Sequence, residues 1–155
     1  MANLIGYYEL KVDSKGRFIF PSALKKQMGA EISEGFVMKK SIFQQCVELY
    51  PEAEWINETK KISRLNRFVK KHNDFIRLFM SGTKQVSLDE AGRLLIPKDL
   101  MDFSGINKDL VLVSSIDRLE IWDKDKYNEV LNSGYADFES LAEDVMGQFE
   151  GETEV

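Results

Sequence analysis

The sequence predicts an α+β fold in which two tandem β-α-β repeats share one core, with a helical connector between them and a helix after them. A segment of about 45 residues occurs twice. Each copy combines turn-flanked apolar runs with one short helical stretch, and the residues between the copies have helical spacing. The predicted boundaries are 4–51 for the first repeat, 52–80 for the connector, 81–123 for the second repeat, and 124–155 for the C-terminal helix and acidic tail.

The two copies keep a constant offset along the chain. Residues 6–24 align without gaps on residues 82–100, so each residue lies 76 positions from its counterpart. With a short deletion the alignment extends to 47–50 and 119–122. Because a unit of this length buries too little apolar surface to be stable alone, the copies are expected to intertwine or to pack into one barrel.

Each repeat opens with a predicted hairpin. Its turn is Asp13–Gly16 in the first copy and Asp89–Gly92 in the second, where the aspartate can accept hydrogen bonds from nearby backbone and the glycine tolerates a positive φ. The runs that follow, 18–20 and 94–96, are apolar without interruption, and we interpret them as buried on both sides. Their side chains should form the shared core, with Phe18, Phe20, Leu94 and Ile96 inside.

A short helix and two further strands complete each copy. A proline suits the first turn of the helix and a glycine eight residues later suits its end; the pairs are Pro21 with Gly29 and Pro97 with Gly105. The apolar segments within 35–50 and 110–122 predict further strand pairs.

The connector and the C-terminal segment are amphipathic and opposite in charge. Residues 52–80 predict a basic helix or helix pair whose apolar face consists of Ile62, Leu65, Val69, Ile76 and Phe79. Residues 124–148 continue the helical pattern, and 137–155 contain seven carboxylates and no basic side chain, as in a solvent-facing helix or tail. Residues 1–80 have a net charge of +5 and residues 81–155 a net charge of −10. Complementary halves of this kind favour self-association, which closes into a ring when the rotation allows.

The composition excludes several classes of protein. The chain has 155 residues, 43% hydrophobic and 30% charged, in the range of a globular domain. Its apolar runs fall far short of the roughly 18 residues of a membrane helix, and no secretory signal is visible, so we expect a cytoplasmic protein with no membrane partner. One cysteine and one histidine cannot build an internal disulfide or a Cys/His zinc site, so no metal or cofactor is expected.

Signatures of catalysis are scarce. The sequence has no phosphate-binding glycine loop, no nucleophile elbow and no paired metal ligands. His72 lies in a basic helical stretch and is expected to face solvent, and Cys46 is expected to be a small core residue. We therefore expect a binding protein, not an enzyme, and no small-molecule substrate.

The repeated Asp-x-x-Gly-Arg motif is the strongest candidate for function. Asp13 with Arg17, and Asp89 with Arg93, are four residues apart across a tight turn. The pair is either a structural ion pair or a rigid turn that presents a guanidinium to phosphate or to a guanine edge. Lys11, Lys15, Lys25 and Lys26 lie near the motif in the first copy, and Glu90 lies within the second turn. The first copy is therefore expected to be the stronger anion binder.

These paired motifs, each with a proline four residues after the arginine, and the closing Leu119-Glu120-Ile121-Trp122, resemble the MraZ family of the AbrB/SpoVT superfamily over about residues 4–145. The resemblance implies two AbrB-like repeats in a swapped-hairpin-like double-split β-barrel. It also implies a nucleoid-associated bacterial transcriptional regulator of the division and cell wall gene cluster. Such a regulator assembles into a homo-oligomeric ring and binds double-stranded DNA at direct repeats upstream of its own operon. The implied DNA-binding residues are Lys11, Asp13, Lys15, Arg17, Lys25, Asp89 and Arg93.

Two other functions stay open from the residues alone. An oligomeric interaction module would use the acidic segment 142–155 to engage a basic protein without reading DNA directly. A hydrolase with an unrecognised site is the third. Dependence on salt separates them, because binding through several phosphates weakens steeply as salt is added, whereas small-molecule catalysis need not.

Overall fold

The computed structural model describes the backbone of residues 3–153 and the side chains of residues 3–149. The chain divides into two compact units, Met1–Lys124 and Asp125–Val155. The elements are β1 (Tyr7–Lys11), β2 (Arg17–Ile19), α1 (Ser22–Met28), a 3₁₀ helix (Gly29–Glu34), β3 (Phe36–Lys40), β4 (Val47–Pro51), α2 (Glu52–Ile62), α3 (Lys70–Met80), β5 (Lys84–Val86), β6 (Arg93–Leu95), α4 (Lys98–Ser104), β7 (Asp109–Ser115), β8 (Arg118–Asp123), α5 (Lys124–Tyr135) and α6 (Phe138–Thr153). The predicted α+β class and the repeated order of elements are confirmed.

The two repeats exchange strands in one antiparallel sheet, whose order is β1-β7-β8-β4-β3-β5. β1 of the first copy pairs with β7 of the second, and β5 of the second pairs with β3 of the first. The counterparts in the two copies are β1 and β5, β3 and β7, and β4 and β8. Exchanging each strand for its counterpart gives the same order read from the other edge, so the strand topology has a two-fold pseudo-symmetry. At its centre Glu48 lies opposite Glu120.

The strands do not close into a barrel. The large sheet ends at β1 on one side and at β5 on the other. β2 and β6 are each three residues long. In the described residues they pair only with each other, across the pseudo-two-fold axis. We call the pair β2 and β6 the β-ribbon.

The inner face of the β-ribbon forms the shared core. Phe18, Phe20, Leu94 and Ile96 are at most 1% exposed, which confirms their predicted place. The predicted burial of both faces is wrong, because Ile19 is 67% exposed and Leu95 is 48% exposed. Alternation along a strand sends every second side chain to the opposite face, and only one face of the β-ribbon packs on the core.

The short helices begin and end where proline and glycine predict. α1 follows Pro21 and ends at Gly29, and α4 follows Pro97 and ends at Gly105. Leu24 in α1 and Leu100 in α4 are fully buried. Both helices therefore belong to the core of the first unit.

The connector is a pair of helices, α2 and α3. The aromatic rings of Trp55 and Phe79 stack at 5.8 Å, and Tyr50 contacts Trp55 edge-on at 5.2 Å. Phe79 is buried, whereas Val69 of the predicted apolar face is 40% exposed. Val69 immediately precedes α3 and has an extended backbone conformation, so it does not share a helical face with Phe79.

An arginine from the second copy ties the connector to the large sheet. Arg118 in β8 donates hydrogen bonds to the Tyr50 hydroxyl at 2.6 Å and to Oε2 of Glu58 in α2 at 3.1 Å. The guanidinium also lies 4.4 Å from the centroid of the Tyr50 ring. This contact fixes α2 against β4 and β8 through a charge that is largely removed from solvent.

The second unit consists of α5 and α6 instead of one continuous helix. The rings of Tyr135 and Phe138 meet at 6.3 Å where the two helices join. Apolar side chains of α6 are between 52% and 59% exposed, namely Phe138, Leu141, Val145, Met146 and Phe149. The last acidic residues of the predicted tail, Glu150, Glu152 and Glu154, lie outside the described side chains. No helix in residues 3–153 has the length and apolar character that crossing a membrane requires.

Candidate nucleic-acid interface

The first turn holds its arginine through one aspartate. Oδ1 of Asp13 accepts hydrogen bonds from the backbone N–H of Lys15 at 3.0 Å and of Arg17 at 2.9 Å, and Oδ2 accepts one from Nε of Arg17 at 2.9 Å. The backbone N–H of Gly16 donates to the carbonyl of Asp13 at 3.0 Å, with φ of Gly16 at 87°. The carboxylate thus orders the loop and the guanidinium together.

The second turn repeats this arrangement. Oδ1 of Asp89 accepts hydrogen bonds from the N–H of Ala91 at 3.0 Å and of Arg93 at 2.8 Å, and Oδ2 accepts one from Nε of Arg93 at 2.9 Å. Gly92 takes a φ of 78°. The same local sequence pattern therefore gives the same geometry twice, at two positions related by the pseudo-two-fold.

The hydrogen bonds keep both carboxylates ionised. The backbone N–H of Arg17 and then its guanidinium lower the pKa of Asp13, and Arg93 lowers the pKa of Asp89 in the same way. Each carboxylate therefore carries its negative charge at neutral pH and neutralises part of the charge of its arginine.

The two arginines keep donors for a ligand. Each uses Nε on its aspartate, and among the residues that the structure describes no group accepts a hydrogen bond from their Nη atoms. The side chains of Arg17 and Arg93 are 27% and 35% exposed. The two interpretations of the motif are compatible, because an ion pair through Nε leaves the guanidinium fork to bind a phosphate or a base.

The exchange of strands redistributes the lysines between the turns. A Cβ placed on Gly92 would lie 2.9 Å from Nζ of Lys25, so Lys25 of the first copy lies at the second turn. The first turn borders a cavity of about 550 Å³ shared with α4, whose charged lining consists of Lys15 and Lys98 together with the carboxylates of Asp13 and Asp102. Lys25, which the sequence places near the motif of its own copy, thus contacts the turn of the other copy in the folded chain.

The remaining sequence-predicted DNA-binding lysine, Lys11, pairs with the large sheet and not with a turn residue. Lys11 ends β1, its side chain is 74% exposed, and its Nζ lies 3.4 Å from Oδ1 of Asp109 in β7. An exposed pair at this distance holds the side chain weakly. Lys11 can therefore exchange Asp109 for another anion.

The outer face of the β-ribbon joins the two turns. Arg17 lies opposite Leu95, and Ile19 lies opposite Arg93. Since opposite residues share a face in an antiparallel pair, these four side chains form one surface. Sequence reasoning missed Ile19 and Leu95, although both stand two residues after an arginine, at the strand period that places them on the arginine's face.

The other titratable candidates have structural environments. His72 accepts a hydrogen bond at Nδ1 from the backbone N–H of Asn66 at 3.1 Å. Cys46 is fully buried, and burial, followed by the nearby charge of Glu120, raises its pKa to about 12. Among the described side chains, those of residues 3–149, no three His, Cys, Asp or Glu residues cluster as metal ligands would.

Comparison with known proteins identifies the family. The family model described as MraZ protein, putative antitoxin-like, matches residues 4–78 and again residues 79–148. The chain is 57% identical over 147 residues to a transcriptional regulator MraZ of Christiangramia forsetii, covering 95% of each chain. It is 54% identical to a protein of the same name from Flavobacterium psychrophilum, over 95% of this chain and 94% of the relative. A third such protein, from Clostridium tetani, is 38% identical over 90% and 94% of the two chains. With both of its repeats matched and relatives this similar along nearly its whole length, the chain belongs to the MraZ family of transcriptional regulators.

Proposed function

We propose that this chain regulates transcription by binding double-stranded DNA through the two turns and the β-ribbon between them. The observation that carries the proposal is the duplicated turn, in which Asp13 and Asp89 hold Arg17 and Arg93 by Nε and leave their Nη donors unused within the described residues. A guanidinium held in this way has little freedom to lose on binding, and its fork matches guanine or phosphate acceptors.

The residues take different roles in this proposal. Arg17 and Arg93 contact DNA directly. Asp13 and Asp89 act as positioning residues, since an ionised carboxylate repels phosphate and each of these already accepts three N–H donors from its own turn. Phosphate contacts fix orientation without reading sequence, and we assign them to the remaining basic candidates, Lys11, Lys15 and Lys25. Lys98, which sequence reasoning did not include, lines the cavity beside the first turn and joins this group.

The target and the assembly belong to the same proposal. The relatives named transcriptional regulator MraZ support a role in transcription. Within that role we propose that the protein acts at the nucleoid and binds direct repeats upstream of its own operon in the division and cell wall gene cluster. An acidic chain can bind such repeats when copies assemble so that their basic faces lie on one surface. A homo-oligomeric ring meets that requirement.

Exposed apolar surface on the connector side supports self-association. Phe75 and Leu78 of α3, with Ile42 of the β3–β4 loop, line a cavity of about 420 Å³ to which Lys40 contributes a positive charge. Leu78 is 76% exposed, although it is a large aliphatic side chain. The occupant we propose is the acidic, apolar helix α6 of a second copy, because its exposed apolar side chains and its carboxylates complement this surface.

Light scattering over a salt series tests the assembly. A species of several subunits at low salt that shrinks as salt rises supports this contact. A monomer at micromolar concentration in low salt contradicts it. Leu78→Ser should shift the equilibrium toward the monomer, whereas Ile116→Ser, an equally exposed aliphatic in the β7–β8 turn, should leave it unchanged.

Fluorescence anisotropy with two duplexes tests the function. One duplex is the DNA directly upstream of the chain's own gene, and the other has the same base composition in shuffled order. We expect tighter binding to the upstream duplex, and affinity that falls steeply between about 50 and 200 mM salt, because phosphate contacts release counterions. Equal affinity for the two duplexes would contradict sequence-preferring binding. No binding to either would favour the interaction module.

A further inference from the structure

The outer face of the β-ribbon holds an aliphatic side chain beside each arginine. Ile19 is 67% exposed and Leu95 is 48% exposed, while Phe18 and Leu94 on the inner face are at most 1% exposed. The two aliphatic residues are counterparts in the repeat, 76 positions apart. On this face each strand carries an arginine followed two residues later by an aliphatic residue, and each arginine lies opposite the aliphatic residue of the other strand.

The two aliphatic side chains have different neighbours at the turns. Leu95 lies against the first turn, where a Cβ on Gly16 would be 3.7 Å from its Cδ1. At the second turn the corresponding neighbour of Gly92 is Lys25 and not Ile19. This difference accounts for the greater exposure of Ile19, and it leaves Ile19 the freer of the two to contact another molecule.

A surface that combines guanidinium and aliphatic groups is complementary to a ligand that offers both hydrogen-bond acceptors and methyl groups. The major groove of DNA admits a two-stranded β-ribbon, and its edges present guanine O6 and N7 as acceptors and the C5-methyl of thymine as an apolar group. Phosphate alone would match the arginines and leave the aliphatic side chains in water. The surface as a whole thus fits base edges better than it fits the DNA backbone.

We propose that Ile19 and Leu95 are specificity-determining residues that pack against thymine methyl groups in the major groove, next to the bases that Arg17 and Arg93 contact. This inference rests on the proposed function, and it adds that the bound sequence contains thymine at the positions under the two aliphatic side chains. Ile19 makes the larger contribution, because more of its surface is available to a methyl group.

Replacing thymine with deoxyuridine tests the contact, because deoxyuridine lacks only the C5-methyl. The upstream duplex is amplified once with thymidine triphosphate and once with deoxyuridine triphosphate, and its affinity is measured for the parent, for Ile19→Ser, for Leu95→Ser and for the double variant. The parent should bind the deoxyuridine duplex less tightly, by about fourfold for each thymine methyl that packs on the protein, the value for one buried methylene-sized group. The double variant should bind both duplexes equally.

A matched control separates this contact from a general loss of apolar surface. Ile5 is 73% exposed and lies outside the β-ribbon, so Ile5→Ser should keep the full sensitivity of the parent to deoxyuridine. Thermal melting of every variant shows whether the fold is kept, and Ile19→Val, which retains a branched aliphatic group, should keep part of the sensitivity.

Three results overturn the inference. If the parent binds the two forms of the upstream duplex equally, no thymine methyl is read. If folded Ile19→Ser and Leu95→Ser lose affinity by the same factor on both forms, the aliphatic groups act through structure or assembly. If the parent binds the upstream and shuffled duplexes equally, the proposed function fails together with the inference. This outcome is distinguishable from the other two because it is seen with the unsubstituted protein and thymine-containing DNA.

Discussion

Phe18 in β2 lies directly opposite Leu94 in β6, and the two residues are each other's counterparts in the repeat. A pair of this kind lies on the pseudo-two-fold axis, as Glu48 and Glu120 do in the large sheet. The relationship explains why two turns 76 residues apart in sequence lie at opposite ends of one short β-ribbon. A single duplicated motif thereby supplies two guanidinium groups to one surface.

Phe18 and Leu94, the apolar pair at the axis, should contribute strongly to the stability of the first unit. Phe18→Ala and Leu94→Ala each remove a side chain at most 1% exposed, and we expect losses of about 3–5 and 2–5 kcal/mol in the free energy of unfolding. Urea denaturation followed by circular dichroism measures both. Ile19→Ala is the control on the opposite face, with an expected change within about 0.5 kcal/mol. A similar loss for all three variants would contradict the described packing.

Removing a positioning aspartate should weaken DNA binding although the arginine is still present. Asp13→Ala deletes the acceptor of three N–H groups, so the turn loosens and Arg17 samples other rotamers. Asp13→Asn keeps an acceptor for the backbone and loses the charge that holds Nε, so it should have the smaller effect on the turn. The Nε–H resonance of Arg17, followed by NMR with DNA affinity on the same samples, measures both effects. Unchanged affinity in Asp13→Ala would show that the ion pair does not serve binding.

The carboxylates of the turns should titrate at unusually low pH. The folded-state pKa of Asp13 and of Asp89 is lowered from 3.8, so their stabilising effect is fully present above that value. The effect is lost as pH falls through the lower folded pKa values. Carboxyl carbon shifts recorded by NMR should show midpoints below 3.8 for both. In Arg17→Ala part of the lowering of the Asp13 pKa should persist, because the backbone N–H of residue 17, its largest cause, remains. A midpoint at or above 3.8 in the parent would contradict the hydrogen-bond geometry.

Local features of the fold follow directly from the sequence. The turn Asp13–Gly16 is specified by one aspartate and one glycine, and α1 is delimited by Pro21 and Gly29, so neighbouring residues determine these elements. The duplicated pattern extends the same argument to the second copy. The repeat order, the short helices and the arginine-bearing turns were therefore predictable.

Long-range pairing is the part that the sequence does not specify locally. β1 pairs with β7 and β2 pairs with β6, both in the other copy. Because α1 follows β2, the second of these pairings places Lys25 at the turn of that copy. The run Phe18-Ile19-Phe20 is ambiguous for a related reason, since three consecutive apolar residues fit a strand buried on both faces as well as one with a single apolar residue exposed. Only the packing of the β-ribbon on one side distinguishes the two.

The most direct test of DNA binding through the paired arginines uses Arg17→Ala and Arg93→Ala. Affinity for the upstream duplex and thermal stability are measured on the same samples of each variant. Each change should cost about 1–3 kcal/mol of specific binding to the upstream duplex in each engaged subunit, with melting temperatures close to that of the parent. The sequence alone predicts that Arg93→Ala costs less binding free energy than Arg17→Ala. Because Lys25 lies beside Gly92 and adds positive charge at the second turn, we expect the two losses of binding free energy to be more similar. Variants that bind the upstream duplex as tightly as the parent and melt several degrees lower would show that the paired turns are structural, and would contradict this account of the site.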